Sequence, residues 1–215
     1  MKLFGIDKTL TSLVLASGNP GKRREFDRLL EPLGIHVRSQ SDFGVEPAPE
    51  PHATFIENAL AKARHASAHT GLPALADDSG ICVPALGGAP GVRSARFATS
   101  VDGADQDLAN NARLVQALAG HDDRGAFYVA VLVLVLHPED PLPVIAQGLW
   151  MGEVLNEPRG SNGFGYDPHF WLPDLARTAA ELEPSQKNQI SHRAIAMRSL
   201  VEQLTARGLL ARCPS

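Results

Sequence analysis

Two adjacent aspartates, Asp77 and Asp78, interrupt an apolar stretch: Leu75-Ala76 precedes them, Ser79-Gly80 follows, and Ile81-Cys82-Val83 resumes the apolar run. Adjacent carboxylates repel each other and resist burial. A fold that brings a strand-like segment to such a pair must also supply something to meet the charge. Metal binding and general-base work are the chemical uses. A solvated turn is the plainer reading, since Asp, Ser and Gly all favour turns.

The surrounding pattern is that of an α/β protein. Leu13-Val14-Leu15-Ala16 reads as a buried strand feeding Ser17-Gly18-Asn19-Pro20-Gly21-Lys22. Asn19 suits an N-cap and Pro20 the first helical position, so a helix is expected to run to Leu33 and stop at Gly34. Ile35 to Arg38 alternates and reads as a second strand. Glu46 to Pro51, with Pro47, Pro49 and Pro51, reads as an irregular loop. Thr54-Phe55-Ile56-Glu57 has the form of a capping box, opening a helix to about His69 with Gly71 beyond. Pro73 to Ala76 is then the strand that delivers the aspartates. Leu108, Ala112, Val115 and Leu118 predict an amphipathic helix over Asp105 to Leu118. Phe127 to Leu136 and Leu142 to Trp150 predict a hairpin with a longer loop. Met197, Leu200, Val201 and Leu204 predict a last helix ending near Gly208. Helices interleaved with strands, then a hairpin, imply a mixed, twisted β-sheet with flanking helices, in two lobes around a central substrate cleft.

Size and charge narrow the function. The chain has 215 residues, enough for one sizeable domain, and a formal net charge of −4. That balance gives no basic excess to drive nucleic-acid or membrane binding. Cys82 and Cys213 are too few and too far apart for a zinc site or a disulfide framework, and free thiols fit a reducing compartment. Met1 to Leu10 lacks the apolar core of a signal peptide, and the apolar run Phe127 to Leu136 is too short to span a bilayer. The expectation is a cytoplasmic protein.

Four further segments carry polar chemistry. Ser17 to Lys22 lies between a strand and a helix, where backbone N–H groups and the helix dipole favour phosphate, and Lys22 adds a charge. It lacks Walker A spacing, and an ordinary strand-to-helix turn would look alike. Gly163-Phe164-Gly165-Tyr166-Asp167-Pro168 is glycine-rich around an aromatic ring. Phe164 could stack on a flat base, or sit in the core. Lys187, His192 and Arg193 lie before or within the first turn of the last helix and offer donors, or a solvated face paired with Glu181 or Glu183. Glu50 gains interest only if its loop folds over Asp78, since magnesium takes carboxylate oxygens.

In this light the chain resembles the inosine triphosphate pyrophosphatase family, the Ham1-type nucleoside triphosphate pyrophosphatases. The resemblance lies in Ser17 to Lys22, Thr54 to Ala59, Ala76 to Gly80, Leu86 to Gly91, Gly163 to Pro168 and Ser191 to Arg193. These stretches stand in family order from about residue 13 to 205, and the first matches the bacterial branch. The resemblance implies a single Ham1-like domain and a homodimeric, magnesium-dependent enzyme hydrolysing ITP, dITP and XTP to the monophosphate and pyrophosphate. It assigns Asp78 as general base and metal ligand, with Glu50 as a second ligand. It assigns Ser17, Gly18, Asn19, Pro20, Gly21 and Lys22 to the triphosphate and Ser79 to substrate. Phe164, Gly165, Tyr166, Asp167, Lys187, His192 and Arg193 fall to the base and phosphate pocket.

Hydrolysis between the α and β phosphorus atoms needs an activated water, a cation on phosphate oxygens and donors for pyrophosphate. Asp78, magnesium and Lys22 with helix-terminus N–H groups would supply one of each. The alternatives are a Maf-type pyrophosphatase for pyrimidine or modified nucleotides, a non-catalytic nucleotide-binding module, and a phosphomonoesterase.

Overall fold

Short apolar runs become strands and amphipathic stretches become helices. The structure, a computed structural model, describes residues 9–18, 20–99 and 105–210. The elements in order are β1 (Ser12–Leu15), α1 (Pro20–Leu30), β2 (His36–Ser39), α2 (Phe55–Thr70), β3 (Ala74–Cys82), α3 (Gln106–Ala117), β4 (Gly125–Val135), β5 (Val144–Val154), β6 (Phe170–Leu172), β7 (Arg177–Thr178), α4 (Pro184–Ile190) and α5 (His192–Ala206). All seven strands join one mixed sheet, in the order β2-β1-β3-β4-β5-β6-β7. The chain forms two compact units, interleaved in sequence. Among the described residues, the first holds those up to Asp78, Val131–Gln147 and those from Ala196 onward; the second holds those within Ser79–Ala130 and Gly148–Ile195.

In the first unit β1 runs parallel to both β2 and β3. Leu13, Val14 and Leu15 are wholly buried, as a central parallel strand requires. α1 packs on β2 through Phe26 and Leu30, one turn apart and buried. Burying each stabilises the fold by about 1.5–3 kcal/mol. A 3-10 turn, Glu31–Leu33, then leads to Gly34, where the expected stop falls. α2 packs on β1, its stripe of Ala59, Ala63 and Ala66 fully buried. Thr54 caps α2 by accepting from Glu57 N, while the Glu57 carboxylate accepts from the Thr54 hydroxyl. Asp140 shapes the loop after β4, its two oxygens accepting from Leu136 N and Leu142 N, each at 2.9 Å.

The second unit packs around Tyr128, Trp150, Phe170, Leu114 and Ile81. β6 pairs antiparallel with β5 and with β7. β5 alternates inward and outward, with Trp150 and Val154 inside and Leu149 and Met151 outside.

Two expectations change. β3 does not end at Ala76; it continues through both aspartates to Cys82, so the pair sits inside a strand and not on a turn. On α3, Leu108 is 68% exposed, and the buried face carries Asn110, Asn111, Leu114 and Leu118. The loops beside this helix present backbone polar groups, which amides can satisfy and leucine cannot. Lys187 lies before the last helix, as expected, in the short separate helix α4, with Ser191 extended between α4 and α5. No helix among the described residues is long and apolar enough to cross a membrane.

Candidate active site

In the first unit the strand geometry separates the two carboxylates. Successive side chains on a strand point to opposite faces, so Asp77 and Asp78 find different cations. Lys22, from the first turn of α1, lies 2.8 Å from Asp77 Oδ2. Lys62, from the middle of α2, lies 2.8 Å from Asp78 Oδ1. Lys62 also donates to Glu50 Oε1 and to the Asp77 carbonyl, each at 2.9 Å. An ammonium has three donors, and here all three are used. Lys62 therefore fixes the two carboxylates relative to each other.

The proline-rich loop reaches this point because α2 grips it at three places. Asn58 receives the His52 N–H at Oδ1 and donates to the His52 carbonyl. Lys62 takes Glu50, and His65 Nε2 lies 3.0 Å from the Glu46 carbonyl. The condition set for Glu50 is met: it and Asp78 share one ammonium. Lys62 is the site residue that the sequence pattern did not single out. Its signal was there, since it lies on the same helical stripe as Ala59, Ala63 and Ala66, where a lysine is out of place.

Burial pushes the Asp78 carboxyl above the ordinary carboxylate range, and the charges of Glu50 and Asp77 push the same way. Lys62 opposes this without cancelling it. Burial alone would lower Lys62, but Asp78 and Glu50 together carry it above the usual lysine value, so it stays charged. The Lys62 direction asks for an ionised partner and the Asp78 direction for a reluctant one. The desolvation and the neighbouring carboxylates make Asp78 the reluctant member.

Asp78 Oδ2 is buried without a protein hydrogen-bond partner. An orphaned carboxylate oxygen beside a second carboxylate fits magnesium, which takes one or two carboxylates and otherwise prefers water and phosphate oxygens. Among the described residues no group of three or more His, Cys, Asp or Glu forms an all-protein metal cage. Of the expected phosphate loop, Ser17 accepts from Ser39 Oγ through its carbonyl at 3.0 Å, Gly18 is exposed, and Pro20, Gly21 and Lys22 form the first turn of α1. Asn19 lies outside the described residues.

In the second unit Asp167 is the hub. Its Oδ2 accepts from the Phe164 N–H at 3.0 Å and pairs with Lys187 Nζ, and its Oδ1 accepts from Tyr128 Oη at 3.3 Å. A side chain at Gly163 would put its Cβ 2.0 Å from Asp167 Oδ2, so only glycine lets this carboxylate close on the loop. Phe164 is not in the core. Its ring is 50% exposed, with Lys187 Nζ 5.0 Å and the Arg193 guanidinium 5.5 Å from its centroid. His192 is buried and stacks on Tyr128, rings 4.7 Å apart and 9° from parallel. Arg193 Nη2 donates to Ser79 Oγ at 3.0 Å. Neither pairs with Glu181 or Glu183, which cap turns instead. Tyr166 Oη donates to the Ser94 carbonyl at 2.7 Å. Ser94 Oγ in turn accepts from the Ile81 N–H, and a Cβ at Gly80 would lie 2.4 Å from that hydroxyl. The structure thus gathers Ser79, Phe164, Asp167, Lys187 and Arg193 in one unit, and Lys22, Glu50, Lys62, Asp77 and Asp78 in the other.

Comparison with known proteins gives a consistent result. The Ham1 family model matches residues 13–203. A dITP/XTP pyrophosphatase of Ralstonia nicotianae is 65% identical, across 89% of this chain and 96% of the relative. One of Bordetella pertussis is 60% identical, across 94% and 95%. A HAM1 protein from Coxiella burnetii superposes with a TM-score of 0.86 at 47% identity, covering 92% of this chain and all (100%) of the other. The Staphylococcus aureus Ham1 protein gives 0.81 at 36% identity, covering 91% and 98%. From its β1 strand to its last helix, this chain belongs to the Ham1 family.

Proposed function

We propose that this protein is a magnesium-dependent pyrophosphatase that hydrolyses ITP, dITP and XTP to the monophosphate and pyrophosphate, and so removes them from the nucleotide pool of the cytoplasm. The observation that carries this reading is the Asp78 carboxylate, with one oxygen fixed by Lys62 and the other buried without a protein partner. A purely binding protein gains nothing from holding a buried anion beside bound polyphosphate. The names of the relatives support the substrate class.

Asp78 and Glu50 would hold magnesium, which supplies positive charge against the phosphate oxygens. Asp78 takes the proton from the water that attacks the α phosphorus, as the bond to the β-phosphate oxygen breaks. Burial raises its pKa, and a more basic carboxylate takes up a proton more readily. Lys62 holds Asp78 and Glu50 at a fixed separation. Lys22, braced by Asp77, and the N–H groups at the start of α1 receive phosphate oxygens. Phe164 stacks on the base, while Lys187, His192 and Arg193 supply donors around it.

Residues 13 to 205 act as one functional domain, and the protein works as a homodimer. The outward apolar residues Leu149 and Met151, 44% and 66% exposed, support a covered surface, and sedimentation would test it. The deciding experiment for the activity follows ITP with magnesium by chromatography at early times. IMP and pyrophosphate should appear together. Accumulating IDP, or orthophosphate as the first inorganic product, would overturn the reading.

A further inference from the structure

Phe164 is half exposed, so packing does not fix its ring. Its backbone is fixed instead, and one of the two restraints comes from a helix with no place in the proposed chemistry. The peptide before Phe164 is held through its N–H by Asp167 Oδ2. The peptide after it is held through the Gly165 N–H, which donates to Asp107 Oδ2 at 2.7 Å. The next peptide is held through the Gly165 carbonyl, which accepts from Asn111 Nδ2 at 2.8 Å. Because peptides are planar, pinning the units on both sides of a Cα fixes its φ and ψ. The direction in which Phe164 projects its ring is then set.

We propose that Asp107 and Asn111 are positioning residues for base recognition, clamping the Gly165 peptides so that Phe164 presents its face to a purine. They stand one turn apart on α3, where i and i+4 side chains share a face. Asn111 Nδ2 also donates to the Asp107 carbonyl at 2.8 Å, which orients the amide. Asn110 secures the same helix, donating to the Ala95 carbonyl at 3.2 Å and accepting from the Ala98 N–H at 2.8 Å. This accounts for a helix that turns Leu108 outward and buries two amides. The clamp acts on the loop that carries Phe164, so its effect falls on the base.

The inference rests on the proposed stacking of the base on Phe164, and the test separates the two. Steady-state kinetics with ITP are combined with product inhibition by IMP, which carries a base, and by pyrophosphate, which does not. Asp107→Ala and Asn111→Ala should raise KM for ITP and Ki for IMP roughly fivefold to tenfold, the cost of one hydrogen bond. Ki for pyrophosphate and kcat should stay within about twofold, because the phosphate groups are untouched. Asp107→Asn keeps an oxygen for the Gly165 N–H and should recover most of the loss. Asn111→Ala carries the test if Asp107→Ala does not fold. If Phe164→Ala raises Ki for IMP but the clamp variants do not, the inference fails alone. Equal losses for IMP and pyrophosphate would also overturn it, by showing a general structural role. If Phe164→Ala leaves Ki for IMP unchanged, the stacking reading falls and the clamp with it.

Discussion

Lys62 Nζ lies 2.8 Å from Asp78 Oδ1, while the other oxygen of the same carboxylate is buried without a protein partner. One cation is in place and the geometry leaves room in the donor set for a second. Burial makes Asp78 reluctant to ionise, and Lys62 gives it the capacity to do so.

Replacing Lys62 by Met should expose that balance. Lys62 is the group holding the Asp78 pKa down against burial, Glu50 and Asp77. Without it the pKa rises further, so the acid limb of kcat/KM should move to higher pH, and the optimum should fall at least roughly tenfold. Stability should follow the same sign. A carboxyl raised above its unfolded value stabilises the fold below that unfolded value, and the contribution is lost as pH rises through the folded value. The drop in Tm on Lys62→Met should therefore be larger near about pH 8 than near about pH 5. A pH–rate profile with an unmoved acid limb would show that Asp78 is not the titrating base.

The two aspartates should separate by kinetic parameter. Asp78→Asn removes the proposed metal ligand and base, and kcat should fall on the order of 10²–10⁴-fold. Asp77→Asn loosens the brace on Lys22, the proposed phosphate donor, so its main effect should be a higher KM for ITP. Circular dichroism would confirm that both variants fold. Equal kcat losses would mean that the two roles are wrongly divided.

Much of this site was legible because motif chemistry is local. A Thr cap three residues before Glu57, Pro20 opening a helix, and glycines around Phe164 each constrain a few neighbouring residues. What was not legible depends on partners distant in sequence. Two carboxylates inside β3 look like a turn until Lys22 and Lys62 are seen to meet them from different helices. α3 misleads for the same reason. Periodicity turns Leu108, Ala112, Val115 and Leu118 inward. Leu118 is buried, but Leu108 and Ala112 are exposed, because the neighbours there are loop peptides that need Asn110 and Asn111. Hydrophobic pattern finds the side of a helix that meets a core, not the side that meets backbone.

Gly80 gives a prediction on stability. A methyl group there would lie 2.4 Å from Ser94 Oγ and 2.5 Å from the Gly91 carbonyl. The carbonyl is backbone and cannot turn aside, so the strand must shift. Gly80→Ala should destabilise by about 1–3 kcal/mol, several degrees in Tm. Gly18→Ala, whose methyl meets nothing within 4 Å, should leave Tm nearly unchanged. Thermal unfolding of the two variants side by side measures the contrast, and equal shifts would contradict it.

Base selectivity should depend on Arg193. Inosine and xanthine carry a 6-oxo acceptor where adenine carries a 6-amino donor. Arg193 offers only donors, and its Nη2 is already steadied by Ser79 Oγ. A site that donates to a substrate oxygen leaves those donors unpaired against an amino group, and is penalised for it. kcat/KM for ITP should therefore exceed that for ATP by at least roughly 10²-fold. Phe164 can stack on any purine, so Phe164→Ala should weaken both substrates alike. Arg193→Ala should shrink the ratio, and Ser79→Ala should shrink it less, by removing one restraint on the guanidinium rather than the guanidinium itself. The measurement is the ITP-to-ATP ratio of kcat/KM across the three variants. An unchanged ratio in Arg193→Ala would move the reading of the 6-oxo group to His192 or Lys187.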